Sequence, residues 1–147
     1  MKERIFELYR DYIRDHHPDL LATLLEEQRA ITFFTEQVAS VEDLIIVLTG
    51  KEQPRSVIEE ECLRRLMTSL GPSRYDYLHS ILDEEFPKHF EKYYEQGILH
   101  TELINLVRSC QPVFEELQFS QSAIEDRYMR YAIIGAVHEY LESSGGL

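Results

Sequence analysis

Asp76, His79 and Asp83 stand at i, i+3 and i+7, which sets three metal-ligand types along one side of a helix. The chemistry would be a bound divalent cation. That line is offset from the apolar residues Tyr75, Leu78, Leu82 and Phe86, so a solvated helix face accounts for it. Glu85 and His89 are four apart with Pro87 between them, and they read as a surface pair. A carboxylate-bridged di-iron bundle needs Glu-x-x-His on two helices, so that carboxylate and imidazole project inward together. No glutamate in this chain has a histidine three residues later.

Cys62 and Cys110 lie on apolar stripes with no His or Lys within four residues. A reactive thiol needs a cationic, partly exposed setting, so both read as buried structural cysteines. In a chain of 147 residues, two cysteines are no disulfide framework and read as reduced thiols. There is no Gly-x-Ser-x-Gly elbow, no Gly-x-Gly-x-x-Gly and no Walker loop. The turn Gly71-Pro72 faintly resembles that of a helix-turn-helix. The recognition helix would then set Arg74 against Asp76, Asp83, Glu84 and Glu85, a charge pattern that a major groove repels. No catalytic, cofactor-binding or metal-ligating residue is assigned.

The elements that would position such residues are helical throughout. Ile5, Leu8, Tyr9, Tyr12 and Ile13 share one face of a first helix, which stops at His16-His17-Pro18. Asp19 to Gln28 is either a short helix or the start of the next one. From about Gln28, the stripe Ala30, Phe34, Val38, Val41, Ile45, Leu48 predicts a long helix ending at Gly50. Ser56-x-x-Glu59 predicts a capping box opening a third helix, with Ile58, Cys62, Leu66 and Leu70 inward. Ser73-x-x-Asp76 caps a fourth, and Pro87 forces a kink or restart before Phe90, Tyr93 and Tyr94. A fifth bears Leu99, Leu103, Leu106, Val107 and Cys110, interrupted at Pro112. Ser122-x-x-Glu125 predicts the start of the last helix, about 122 to 143, with Ile124, Tyr128, Tyr131, Ile134 and Leu141 on its stripe. Its middle holds little polar surface, which places it at the centre of a bundle. Gly135, between Ala132 and Ala136, is expected to receive another helix closely.

No segment alternates apolar and polar residues as a strand does. The fold class is all-α: a single-domain multihelical bundle of six or seven helices over 1–143, its C-terminal helix central, with a flexible tail at 144–147. Fifteen Lys+Arg against 27 Asp+Glu give a net charge of −12. Such a field repels phosphate backbones and anionic lipid heads, so neither nucleic acid nor a membrane is the expected partner. The longest strictly aliphatic run, Leu44 to Leu48, is far short of a membrane span, and charges alternate with apolar residues from Lys2 to Asp11, leaving no signal-peptide core. A cytoplasmic setting follows.

A wider pattern joins these segments. His17-Pro18 follows the first aromatic-rich helix, and Thr35-Glu36 lies in the next. Ser73-x-Tyr75-Asp76-x-Leu78, Ile81-Leu82-x-x-Glu85-Phe86 and Cys110-x-x-Val113-Phe114 follow, and the last helix holds Gly135 and ends Tyr140-Leu141-Glu142. In this order the chain resembles a small all-helical domain of unknown function from Bacteroidetes, often encoded on conjugative transposons. Asp19 to Gln28 is more apolar than that pattern. The resemblance implies a compact multihelical fold in a bacterial cytoplasm, and no site residues.

The function expected is therefore protein–protein contact, with a partner whose surface is basic. The alternative is an enzyme or small-ligand binder whose site assembles from residues far apart in sequence. A polar cluster inside a closed pocket would favour the second, and an exposed aromatic and acidic face the first.

Overall fold

Prolines and serines mark several of the helix boundaries in the computed structural model, which describes residues 1–143; the tail expected at 144–147 lies outside the described residues. α1 (Lys2–His16) stops before Pro18, which opens α2 (Pro18–Glu26), so Asp19 to Gln28 is mostly a separate short helix. Pro87 opens α7 (Pro87–Glu95) directly after α6 (Arg74–Glu85), and Pro112 lies in the first turn of α9 (Gln111–Glu116), after α8 (Leu99–Ser109). At a first helical turn a proline loses no intrahelical hydrogen bond, because that N–H has no partner there anyway.

The long helix expected from Gln28 to Gly50 is two: α3 (Ala30–Ala39) and α4 (Glu42–Gly50). Ser40 Oγ donates to the Gln37 carbonyl at 2.5 Å and competes with the backbone ladder, while Val41 turns fully inward. The chain thus exceeds the expected six or seven helices, with α5 (Arg55–Leu70) and α10 (Arg127–Ser143) completing the set. No strand occurs among the described residues.

Two of the three helix starts expected from a serine cap are corrected. Pro54 precedes α5, which places Ser56 inside the helix, where Glu59 instead receives Arg55 at 3.1 Å. α10 starts at Arg127 rather than near 122, and Asp126 accepts from the Tyr128 N–H at 3.2 Å. Ser73 does cap α6, accepting from the Asp76 N–H at 2.9 Å.

Where length alone points to one core, the contacts divide the chain into two compact units, Met1–Gly71 and Pro72–Leu147. In the first, Ile5, Tyr9 and Ile13 of α1 are fully buried against Phe34, Val38, Val41, Ile58, Cys62 and Leu66. α1 meets α2, α3 and α5, and the Tyr9 ring sits edge-on to Phe34 at 5.9 Å.

In the second unit, Leu78, Ile81 and Leu82 of α6 pack with Leu103, Leu106, Cys110 and Phe114 and with Met129, Ile133, Val137 and Leu141 of α10. Arg74 lies over the Phe114 ring at 5.1 Å, and Tyr140 donates to Glu102 at 2.6 Å. Arg130 reaches Glu84 at 2.8 Å and Glu85 at 3.0 Å, which ties α10 to α6.

α10 is not enclosed. Its buried stripe steps by fours from Met129, which turns Tyr128 and Tyr131 to the outside instead of onto the inward stripe that the sequence predicts for them. Gly135 shares that outer side, and a Cβ built on it meets nothing within 4 Å. The helix expected to pack against Gly135 within the chain is absent among the described residues. Gly135→Ala is therefore expected to stabilise the fold by about 0.5–1 kcal/mol, through helix propensity alone. Urea denaturation at dilute protein checks this; an unchanged or lower midpoint would show that the glycine backbone is needed there.

Candidate interaction surface

The sequence-derived ligand candidates do not converge. Asp76 sits in the first turn of α6 beside its cap, the His79 ring stands edge-on to Phe90 at 5.1 Å, and Asp83 points to solvent. Glu85 turns to Arg130 rather than to His89, whose ring lies among Phe86 and Tyr93. Among the described residues, no group of three or more His, Cys, Asp or Glu side chains could hold a metal ion.

Cys62 and Cys110 are free thiols and both are fully buried. Burial pushes the Cys110 thiol up to about 12. It raises Cys62 as well, against the opposing pull of Arg65. Neither environment favours a thiolate nucleophile.

What the structure does build is surface relief around α4. Its sequence runs Leu44-Ile45-Ile46-Val47-Leu48 without a charge. Leu44, Ile45 and Leu48 rest on the core of the first unit. Ile46 and Val47 are 68% and 50% exposed. No residue of α4 is fully buried, so the helix stands as an apolar ridge.

A hollow lies on each side of it. One, of about 400 Å³, is lined by Met1, Lys2, Glu3, Glu42, Ile45 and Ile46. The other, of about 420 Å³, is lined by Leu44, Glu61, Arg64, Arg65, Thr68 and Ser69. A ridge between two grooves is the relief that helix–helix packing uses.

The cations here are already engaged. Lys2 pairs with Glu42, Arg64 with Glu60 at 3.1 Å and Glu61 at 2.5 Å, and Arg65 with Asp43 at 3.7 Å. Glu61 thus turns to Arg64 and leaves Arg65 to Asp43. With Glu3 added, acids outnumber bases around the ridge.

A further hollow of about 440 Å³ between α1 and α3, which shares Lys2 and Glu3 with the first, has Phe6, Val38 and Ala39 as its apolar lining and adds Glu7 and Arg10 to its charges. In the second unit, Tyr128 and Tyr131 project from α10 at 81% and 65% exposure.

Sequence reasoning missed the ridge because the periodic stripe through Ile45 and Leu48 accounted for only one side of α4. Adjacent Ile46 and Val47 were the available signal: a helix apolar all round needs cover on both sides. No family model, no characterised protein and no solved structure matches the chain.

Proposed function

We propose that the protein is a non-catalytic helical module that acts by docking another protein. The observation that supports it is the α4 ridge, where Ile46 and Val47 face water between two hollows. The partner is a protein with a basic surface, because the chain carries −12 and the cations beside the ridge are already paired. Nucleic acid is disfavoured by the same charge. No helix of the described residues is long and apolar enough to cross a membrane. The resemblance to the Bacteroidetes domain supplies a setting: an accessory role in a mobile-element or regulatory complex of the bacterial cytoplasm.

The test compares tagged wild type with Ile46→Glu/Val47→Glu in capture from native cytosol, with mass-spectrometric identification. Both positions are exposed, so the variant should keep its fold by circular dichroism. Proteins with a basic surface should be retained by the wild type and lost from the variant. Identical capture by both would reject the ridge as the docking site. A second reading, a small-ligand binder, draws on the α1–α3 hollow, whose size suits a small molecule. Phe6→Ala should then abolish a thermal shift by the ligand and leave protein capture intact.

A further inference from the structure

The hollow between α1 and α3 has an unused polar side chain on each wall: the Glu3 carboxylate on α1 and the Thr35 hydroxyl on α3. Neither side chain has a hydrogen-bond or ion-pair partner among the described residues. The apolar lining is Phe6, Val38 and Ala39, with the Phe6 ring packed on Phe34 at 5.3 Å. We propose that this hollow binds an organic ammonium ion with an apolar body. It rests on the reading of that hollow as a small-molecule site and gives the molecule its class.

The other charges that line the hollow are already engaged. Lys2 pairs with Glu42, Arg10 with Asp11 at 3.3 Å, and Glu7 with Arg4 at 3.4 Å. Glu36, exposed beside Thr35, is a further carboxylate without an ion pair among the described residues. Met1 lines the adjoining hollow rather than this one. The partial positive charge at the start of α1 is matched by the partial negative charge at the end of α3, where Ala39 lines the hollow. The charge left over is therefore negative, and the −12 of the whole chain adds to it. An anionic ligand would first have to draw Lys2 or Arg10 away from its carboxylate.

An ammonium group suits this pair of side chains, because its N–H bonds can go to a carboxylate and to a hydroxyl oxygen together. A bare divalent metal ion does not. One carboxylate and one hydroxyl are too few oxygens to replace its water, and it would leave the apolar lining uncovered. An apolar body gains free energy by covering Phe6, Val38 and Ala39. The volume of about 440 Å³ falls in the lower part of the range of small-molecule sites, which is room for one ring and a short chain. Glu3 is exposed, so its ion pair with the ligand changes affinity by a few-fold rather than by orders of magnitude.

Three ligands of similar shape test this: phenylbutylamine, phenylbutanol and phenylbutanoate. Each is titrated into the isotope-labelled full chain and followed by two-dimensional amide NMR. The amine should shift amides of α1 and α3 around Phe6 and Thr35, and should bind about three- to fivefold tighter than the alcohol. Phenylbutanoate should bind more weakly than the alcohol. Glu3→Gln should erase the advantage of the amine and leave the affinity of the alcohol unchanged. Raised salt should do the same to the wild type. Ala39→Trp, at an exposed position, should fill the hollow and abolish binding of amine and alcohol alike. Equal binding of amine and alcohol, tighter binding of phenylbutanoate, or an advantage that survives Glu3→Gln overturns the ammonium assignment and leaves the hollow as a small-molecule site. An absence of shifts in α1 and α3 with all three ligands overturns both. Shifts centred on Ile46 and Val47 would place the amine on the α4 ridge and overturn the assignment as well.

Discussion

Phe114→Ala is expected to lower the unfolding free energy by about 3–5 kcal/mol. Phe114 is fully buried in the core of the second unit. Its ring meets Phe119 at 4.8 Å and Tyr77 at 6.1 Å, both edge-on. Arg74 caps one ring face from the start of α6, so the substitution removes a cation–π contact along with the burial. α9 is a six-residue helix and has no other fully buried residue, which leaves little to refill the cavity. Urea denaturation followed by far-ultraviolet circular dichroism measures the loss. A shift under 1 kcal/mol would mean that α9 is not anchored by this ring.

The second large effect appears in alkali and comes from Cys110. Its thiol is pushed from an ordinary value of 9.0 to about 12 by burial. The folded state therefore holds a proton that the unfolded chain releases at lower pH. The resulting stability is fully present below about pH 9 and is lost as pH rises toward 12, at up to about 1.4 kcal/mol per pH unit. The full window amounts to about 4 kcal/mol. Tyr9 and Tyr140 are also raised to about 12, but from 10.0, so between pH 9 and 10 the thiol acts first. Burial raises Cys62 too, which adds to the loss in the same direction. Denaturation midpoints at pH 8 to 10 should fall in the wild type and fall less steeply in Cys110→Ala. Native protein should also react slowly with a thiol reagent and quickly in denaturant. Prompt labelling in the native state, or equal pH slopes in both proteins, would show the thiol to be accessible.

The inward faces of most helices were legible because they follow a 3.6-residue period. Ile5, Tyr9 and Ile13, then Ile58, Cys62 and Leu66, are buried as that period requires. Pro18, Pro87 and Pro112 marked breaks that the structure honours. The break at Ser40-Val41 was not legible, because the apolar stripe keeps its phase across it, and a serine bonding the carbonyl three residues back, as Ser40 does, is no break signal by itself: Ser69 makes the same bond within α5. α10 misled for a different reason. It has apolar residues on every side, so period alone could not say which stripe faces inward; the contacts with α6, α8 and α9 decide that. Ion pairs between helices, such as Arg130 with Glu84 and Glu85, depend on tertiary placement that local spacing does not encode. The α4 ridge was hidden because a stripe explains which residues go inward and is silent about the apolar residues left over.

The place of α1 at the heart of the first unit bears on synthesis. Ile5, Tyr9 and Ile13 find cover partly on Ile58, Cys62 and Leu66 of α5. A ribosome adds about 5–20 residues per second, so several seconds separate the making of α1 from the making of α5. Throughout that interval the apolar stripe of α1 is at most partly covered, by α2 and α3. The nascent chain therefore spends those seconds with the stripe of α1 short of its α5 cover, and translation speed sets how long that surface stays open before Leu66 has emerged.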